Sequence, residues 1–152
     1  MPTTFSTLDE LREATGRQLG WTDWINITQE RVNLFADATG DHQWIHVDVA
    51  RAMAESPFGG PIAHGYLTLA LSNLFLPQLL EVSGASAGVN YGTGKVRFPS
   101  PVPVGGRVRG GAEITAVEEI PGGVQTTITI TIQIEGQHKP ACVIESLSRW
   151  LA

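Results

Sequence analysis

From Val124 to Glu135 the chain is ordered by parity: Val124, Ile128, Ile130, Ile132 and Ile134 alternate with Gln125, Thr127, Thr129, Thr131, Gln133 and Glu135. A period of two puts the apolar set on one face of a β-strand and the polar set on the other. Pro121-Gly122-Gly123 turns into this strand and Gly136 to Pro140 turns out of it, so antiparallel neighbours are predicted over 106–117 and 141–150. Strand character begins near Ala87, and the Pro- and Gly-containing stretch from Pro99 to Gly106 reads as a loop between strands.

The first half follows a helical period instead. Thr7-Leu8-Asp9-Glu10 is a capping-box pattern opening a short helix with Leu8 and Leu11 on one face, ended by Gly16 or Gly20. Trp21 to Ile27 reads as a strand on the alternation of Ile25 and Ile27. Thr28 caps a second helix bearing Val32, Phe35 and Ala36, and Gly40 stops it, which leaves Asp41 in the loop beyond. A short helix is predicted over Asp48 to Glu55, then a loop from Ser56 to Pro61. His64 to about Leu76 reads as a long helix apolar on most sides through Leu67, Leu69, Leu71, Leu74 and Phe75, and such a helix is expected to be buried. One buried helix followed by an antiparallel meander is an α+β plan in which the sheet wraps the helix.

At 152 residues, 42% hydrophobic and 16% charged, the chain fits one packed domain spanning residues 1–152. Its net charge of −5 argues against nucleic-acid binding through bulk positive charge. Cys142 is the single cysteine, so no internal disulfide is expected, and the scattered His42, His46, His64 and His138 suggest no metal cluster. The most apolar run, Leu67 to Leu80, is interrupted by Ser72, Asn73 and Pro77 and falls short of the ~20 residues that span a bilayer. With no basic, apolar leader at the N-terminus, the expected setting is the cytoplasm. Glycine-rich phosphate loops, dinucleotide fingerprints and nucleophile elbows are missing from the sequence, so no cofactor is expected.

The candidate chemistry lies at Asp41 and His46, a carboxylate and an imidazole close enough to share one water in general acid–base work. His64-Gly65 opens the apolar helix, where unpaired N–H groups can receive a developing oxyanion. Blander readings stand beside both: Asp41 as the cap of the turn after Gly40, His46 as a satisfied half-buried histidine, His64 as a helix cap, and Gly65 as a packing glycine.

Phe35, Gly40, Asp41 and His46, then Pro61-Ile62-Ala63-His64-Gly65, then Lys95-Val96-Arg97-Phe98-Pro99 occur in that order. In this the chain resembles the MaoC-like family of (R)-specific enoyl-CoA hydratases and 3-hydroxyacyl dehydratases. It departs from many members at Gln43-Trp44, where they carry Asn-Pro.

The resemblance implies a single hotdog fold and reversible hydration of trans-2-enoyl-CoA to (3R)-3-hydroxyacyl-CoA in fatty-acid metabolism. It implies Asp41 and His46 as the acid–base pair and the Gly65 N–H on the thioester carbonyl. Gln43 is expected in place of the usual Asn, and His64 as an orienting residue in the substrate-binding set. Asn90 and Tyr91 are expected along the acyl channel, and Trp44 and Phe58 as pocket walls or core. Lys95 and Arg97 share a strand face that suits coenzyme A phosphates, with Arg107 and Arg109 extending the patch and Val96 and Phe98 pointing inward. The expected partners are an acyl-CoA or acyl-carrier-protein thioester and a second copy of the chain. An acyl-CoA thioesterase and a non-catalytic acyl-thioester binder are the rival readings.

Overall fold

A computed structural model describes residues 1–152. Its centre is β7 (Gly123–Ile134), the strand with the parity pattern, which pairs antiparallel with β6 (Arg107–Ile120) on one side and β8 (Cys142–Leu151) on the other. β5 (Ala87–Arg97) closes one edge against β8, while β2 (Gln18–Trp21) and β3 (Ile25–Asn26) close the other against β6. The apolar parity is sealed: Ile128, Ile130, Ile132 and Ile134 are each at most 2% exposed. At about 1.5–3 kcal/mol for each such side chain, this face is a main source of stability.

The helix that the sheet wraps is built in two pieces, α5 (Gly65–Ala70) and α6 (Ser72–Leu79). The expected single helix is interrupted at Leu71, whose φ of −64° and ψ of −15° tighten the turn. Leu67, Leu71, Phe75 and Leu79, four residues apart, form the buried stripe. Tyr66 at 72% and Leu74 at 41% are exposed, so the helix is buried on one side and not all round. Gly110 of β6 lets this helix approach the sheet: a Cβ there would lie 2.7 Å from Phe75. On the opposite face, a Cβ on Gly111 would meet Trp21 at 2.6 Å.

The N-terminal elements cover the remaining core. α1 (Leu8–Arg12) begins as expected, with Thr7 Oγ1 accepting from the Glu10 N–H at 3.1 Å and Glu10 Oε2 accepting from the Ser6 N–H at 2.6 Å. It ends at Arg12, before either glycine. The predicted strand over 21–27 is divided between β2 and β3, because Thr22 leaves the ladder and caps Gly110 through both its N–H and its hydroxyl. β1 (Thr3–Phe5) and β4 (Leu80–Val82) form a small parallel pair. α2 (Gln29–Thr39), α3 (Trp44–Val47) and α4 (Val49–Glu55) then carry the chain past the site. The result is the hotdog plan expected from the sequence, with a central helix of modest length. No helix is long and apolar enough to cross a membrane.

Candidate active site

Two elements deliver Asp41 and His46 to one place. Gly40 ends α2 in the left-handed conformation, φ 84°, which turns the chain so that Asp41 leaves the helix axis. Asp41 is exposed, and its Oδ1 accepts weakly from the Gln43 N–H at 3.4 Å. α3 is a single turn that presents His46, which is only 7% exposed. That turn is held from α2 by Gln29, whose amide donates to the His46 carbonyl at 2.8 Å.

The imidazole of His46 is oriented by the main chain. Its Nδ1 lies 2.7 Å from the Ile62 carbonyl oxygen, so Nδ1–H donates there and Nε2 keeps a bare lone pair. Burial pushes the His46 pKa below the ordinary value of 6.5, and the nearby His64 ring pushes the same way. The Ile62 carbonyl and the Asp41 carboxylate oppose the shift without reversing it. The net shift favours the neutral imidazole.

His64 lies beneath this pair, 2% exposed, with Nε2 3.0 Å from the Asp41 carbonyl oxygen. Its ring stacks on His46 at 4.0 Å between centroids and 27° between planes. Atoms of Asp41, His46 and His64 lie within 4.8 Å of one another. Two stacked imidazoles direct their lone pairs along nearly parallel planes, which suits a shared metal poorly. A separation of up to 4.8 Å is compatible with one water bridging carboxylate and imidazole through two hydrogen bonds of about 2.8 Å each.

His46 opens on a cleft of about 320 Å³, whose walls include Phe58, Ile62, Gly65, Thr68, Phe98 and Val102. Gly65 is the first residue of α5, so its N–H has no intrahelical partner. A Cβ at Gly65 would lie 3.5 Å from the Phe98 ring, an ordinary contact. Packing therefore does not require glycine here. What glycine provides is open access to the backbone N–H.

The other expected residues are dispersed. Phe58 lines the cleft, but Trp44 does not: it stacks with Arg51 at 4.2 Å. Gln43 is exposed and meets Asp41 through its main-chain N–H and not through its amide. His64 supports the site from below and is not part of the cleft wall. Asn90 pairs with Ser148 near the far end of β5 and Tyr91 lies 3.5 Å beneath the Arg149 guanidinium, so neither borders the cleft.

Lys95 and Arg97 line a separate hollow of about 400 Å³ with Thr129, Val143 and Glu145, on the sheet face away from the helix. Phe98 does turn toward the cleft, though it remains 45% exposed at its mouth. The expectation that Arg107 and Arg109 extend this patch is corrected. They lie on β6, with β7 and β8 between them and β5. Arg107 pairs with Glu135 at 3.0 Å, and Arg109 sits between Trp21 and Trp24 at 4.6 and 4.5 Å. Closeness along the chain across a loop is not adjacency in a sheet. Gln29 and the Ile62 carbonyl are not among the residues the sequence points to: Gln29 lies far along the chain from the motif it supports, and Ile62, though inside the Pro61–Gly65 motif, acts through a main-chain carbonyl that no side chain signals.

The sequence profile of the MaoC like domain matches residues 10–135, most of the chain, including Asp41, His46, His64 and Gly65. The chain belongs to the MaoC-like domain family. The MaoC-like match stops in the turn after β7, and β8 completes the sheet beyond it. The chain is similar to 3-hydroxyacyl-thioester dehydratase Z of Mycobacterium tuberculosis, 53% identical over 150 residues that cover 98% of this chain and 99% of that protein. It is also similar to nodulation protein N of Rhizobium meliloti, 43% identical with 96% and 89% covered. Among solved structures, the (R)-hydratase from A. caviae involved in PHA biosynthesis superposes with a TM-score of 0.73 at 26% identity, covering 90% of this chain and 96% of that one.

Proposed function

We propose that this MaoC-like hydro-lyase is an (R)-specific hydratase, interconverting trans-2-enoyl thioesters and (3R)-3-hydroxyacyl thioesters in cytoplasmic fatty-acid metabolism. The observation that carries the reading is the pairing of an oriented, neutral His46 with the Asp41 carboxylate across one water's width, beside a cleft that also opens on Gly65. The relative that is 53% identical is named for a 3-hydroxyacyl-thioester substrate, which supports the same substrate class here.

In the hydration direction the bound water's oxygen bonds to C3 while His46 Nε2 takes one of its protons. His46 Nε2 then passes that proton to C2, so both H and OH come from the one water and add on one face of the alkene. The Gly65 N–H holds the charge that gathers on the thioester oxygen. No electrons leave or enter, and the step needs only this chain's residues and water.

The segment 95–101 supports coenzyme A as the carrier. Lys95, Arg97 and Pro99 line the outer hollow, while Phe98, Ser100 and Pro101 line the cleft. A thioester in the cleft can thus place its phosphates on the cations by passing around the end of β5. That strand is also an unpaired edge of eleven residues, which favours a second copy of the chain as partner.

The test uses a short trans-2-enoyl-CoA with the enzyme alone. Conjugated absorbance is expected to fall without release of free thiol, giving the (3R) alcohol. Stoichiometric thiol would mean a thioesterase; tight binding with the conjugation intact would mean a silent binder. Replacing Lys95 and Arg97 together by Ala is expected to raise KM for the CoA thioester and leave kcat nearly unchanged, because distant phosphate contacts hold ground and transition states alike. An unchanged KM moves the CoA site to another surface.

A pH profile tests the state of His46. A base must be unprotonated, and burial lowers the pKa of His46 from 6.5, so the acid limb of kcat/KM is expected below pH 6.5. The same shift contributes stability above 6.5 that is lost as pH falls through the folded value, since the unfolded chain takes the proton more readily. An acid limb centred above 6.5 would count against His46 as the base.

A further inference from the structure

We propose that His64 is a positioning residue, one side chain that holds Asp41, His46 and the Gly65 N–H in a common frame; the inference rests on the acid–base reading above. Three contacts carry it. His64 immediately precedes Gly65, so whatever anchors its ring also anchors the N–H that faces the cleft. Its Nε2–H donates to the Asp41 main-chain carbonyl at 3.0 Å. Its ring stacks face to face on His46 at 4.0 Å.

The Asp41 tether matters because the other anchors of the loop act on its neighbours: the Gly40 N–H donates to the Ala36 carbonyl at 2.8 Å, and the His42 ring lies 3.0 Å from the Asp37 carboxylate. Gly40, Asp41, His42 and Gln43 are all exposed, and the hydrogen bonds of the Asp41 N–H and carboxylate within the loop are both 3.4 Å long. His64, by contrast, is clamped between His46 and Phe35, whose ring centroid is 4.9 Å away. A buried, packed ring is thereby tied to the backbone of an exposed carboxylate.

The other ring nitrogen rules out simple space-filling. With Nε2–H engaged, Nδ1 is a buried acceptor, and it has no partner. An apolar side chain of similar shape would fill the site without leaving an acceptor unsatisfied. What imidazole supplies and Leu or Phe cannot is the donor to Asp41.

The experiment compares two variants of the full chain. His64→Leu removes the donor and the stack; His64→Gln keeps an amide nitrogen near the Nε2 position. For His64→Leu, kcat on an enoyl-CoA is expected to fall about 10²-fold, the size of effect that a misplacement of roughly 1 Å produces, with KM little changed. His64→Gln should recover about tenfold of that loss. Amide hydrogen exchange over residues 40–46 is expected to quicken in His64→Leu and to return toward wild type in His64→Gln. Should His64→Leu fail to fold, His64→Asn, too short to reach the Asp41 carbonyl, makes the same comparison.

Wild-type kcat with unchanged exchange in the Leu protein would overturn the inference, as would a loss confined to KM or a Gln protein as impaired as the Leu one. Asp41→Asn assayed alongside keeps the two claims separate: full activity there defeats the acid–base reading, while the exchange comparison still decides whether His64 tethers the loop.

Discussion

Asp41→Asn and His46→Gln are each expected to lower kcat by about 10²–10⁴-fold while the protein stays folded. Asp41 is exposed, so its replacement by an isosteric amide disturbs no core. His46 is buried and Gln places its amide near the Nε2 position, so the bond from Nδ1–H to the Ile62 carbonyl is lost; the thermal midpoint is read alongside turnover to separate that structural effect from the loss of the base. The double variant is expected to be little worse than the more damaged single one, because two groups that share one water act as a unit and their losses do not add. Thermal midpoints near wild type with multiplicative losses would point to independent roles, and near-normal turnover in either folded single variant would remove the pair from the mechanism.

Local pattern was enough for much of this molecule, and where it failed the reason is distance along the chain. The strict parity of 124–135 identified β7 and its buried face, and Thr28 and Gly40 marked both ends of α2, because caps and alternation act between near neighbours. Sheet order did not follow from the same signals. Parity tells which face a residue occupies but not which strand lies beside it, so Arg107 and Arg109 read as neighbours of Lys95 and Arg97 although two strands intervene. The parallel pairing of β1 with β4 joins two three-residue segments almost eighty positions apart, too short and too remote for any periodic signal. At the candidate site, Asp41, His46 and Gly65, the residues proposed to act, stand out in the sequence as a motif, whereas the tautomer of His46 depends on a carbonyl at Ile62 that side-chain sequence does not encode.

The second large effect is expected at Gly65, where a main-chain N–H can be deleted without disturbing the helix that bears it. Gly65 is the first residue of α5, a position where proline is well accepted because that N–H has no intrahelical partner. His64 already has φ −60° and ψ 140°, the extended conformation that a residue before proline must adopt. Gly65→Pro should therefore fold, with a thermal midpoint near that of the parent, yet lose the donor assigned to the thioester oxygen. The expected loss in kcat is about 10²–10³-fold, the range for removing one oxyanion donor. Gly65→Ala is the matched control: it keeps the N–H and adds a methyl 3.5 Å from Phe98 at the cleft wall, so its effect should be smaller and should appear mainly in KM. A folded Gly65→Pro protein with parental kcat would show that the charge on the thioester oxygen is held elsewhere. Equal loss in both variants would mean that glycine serves only to leave room for the substrate.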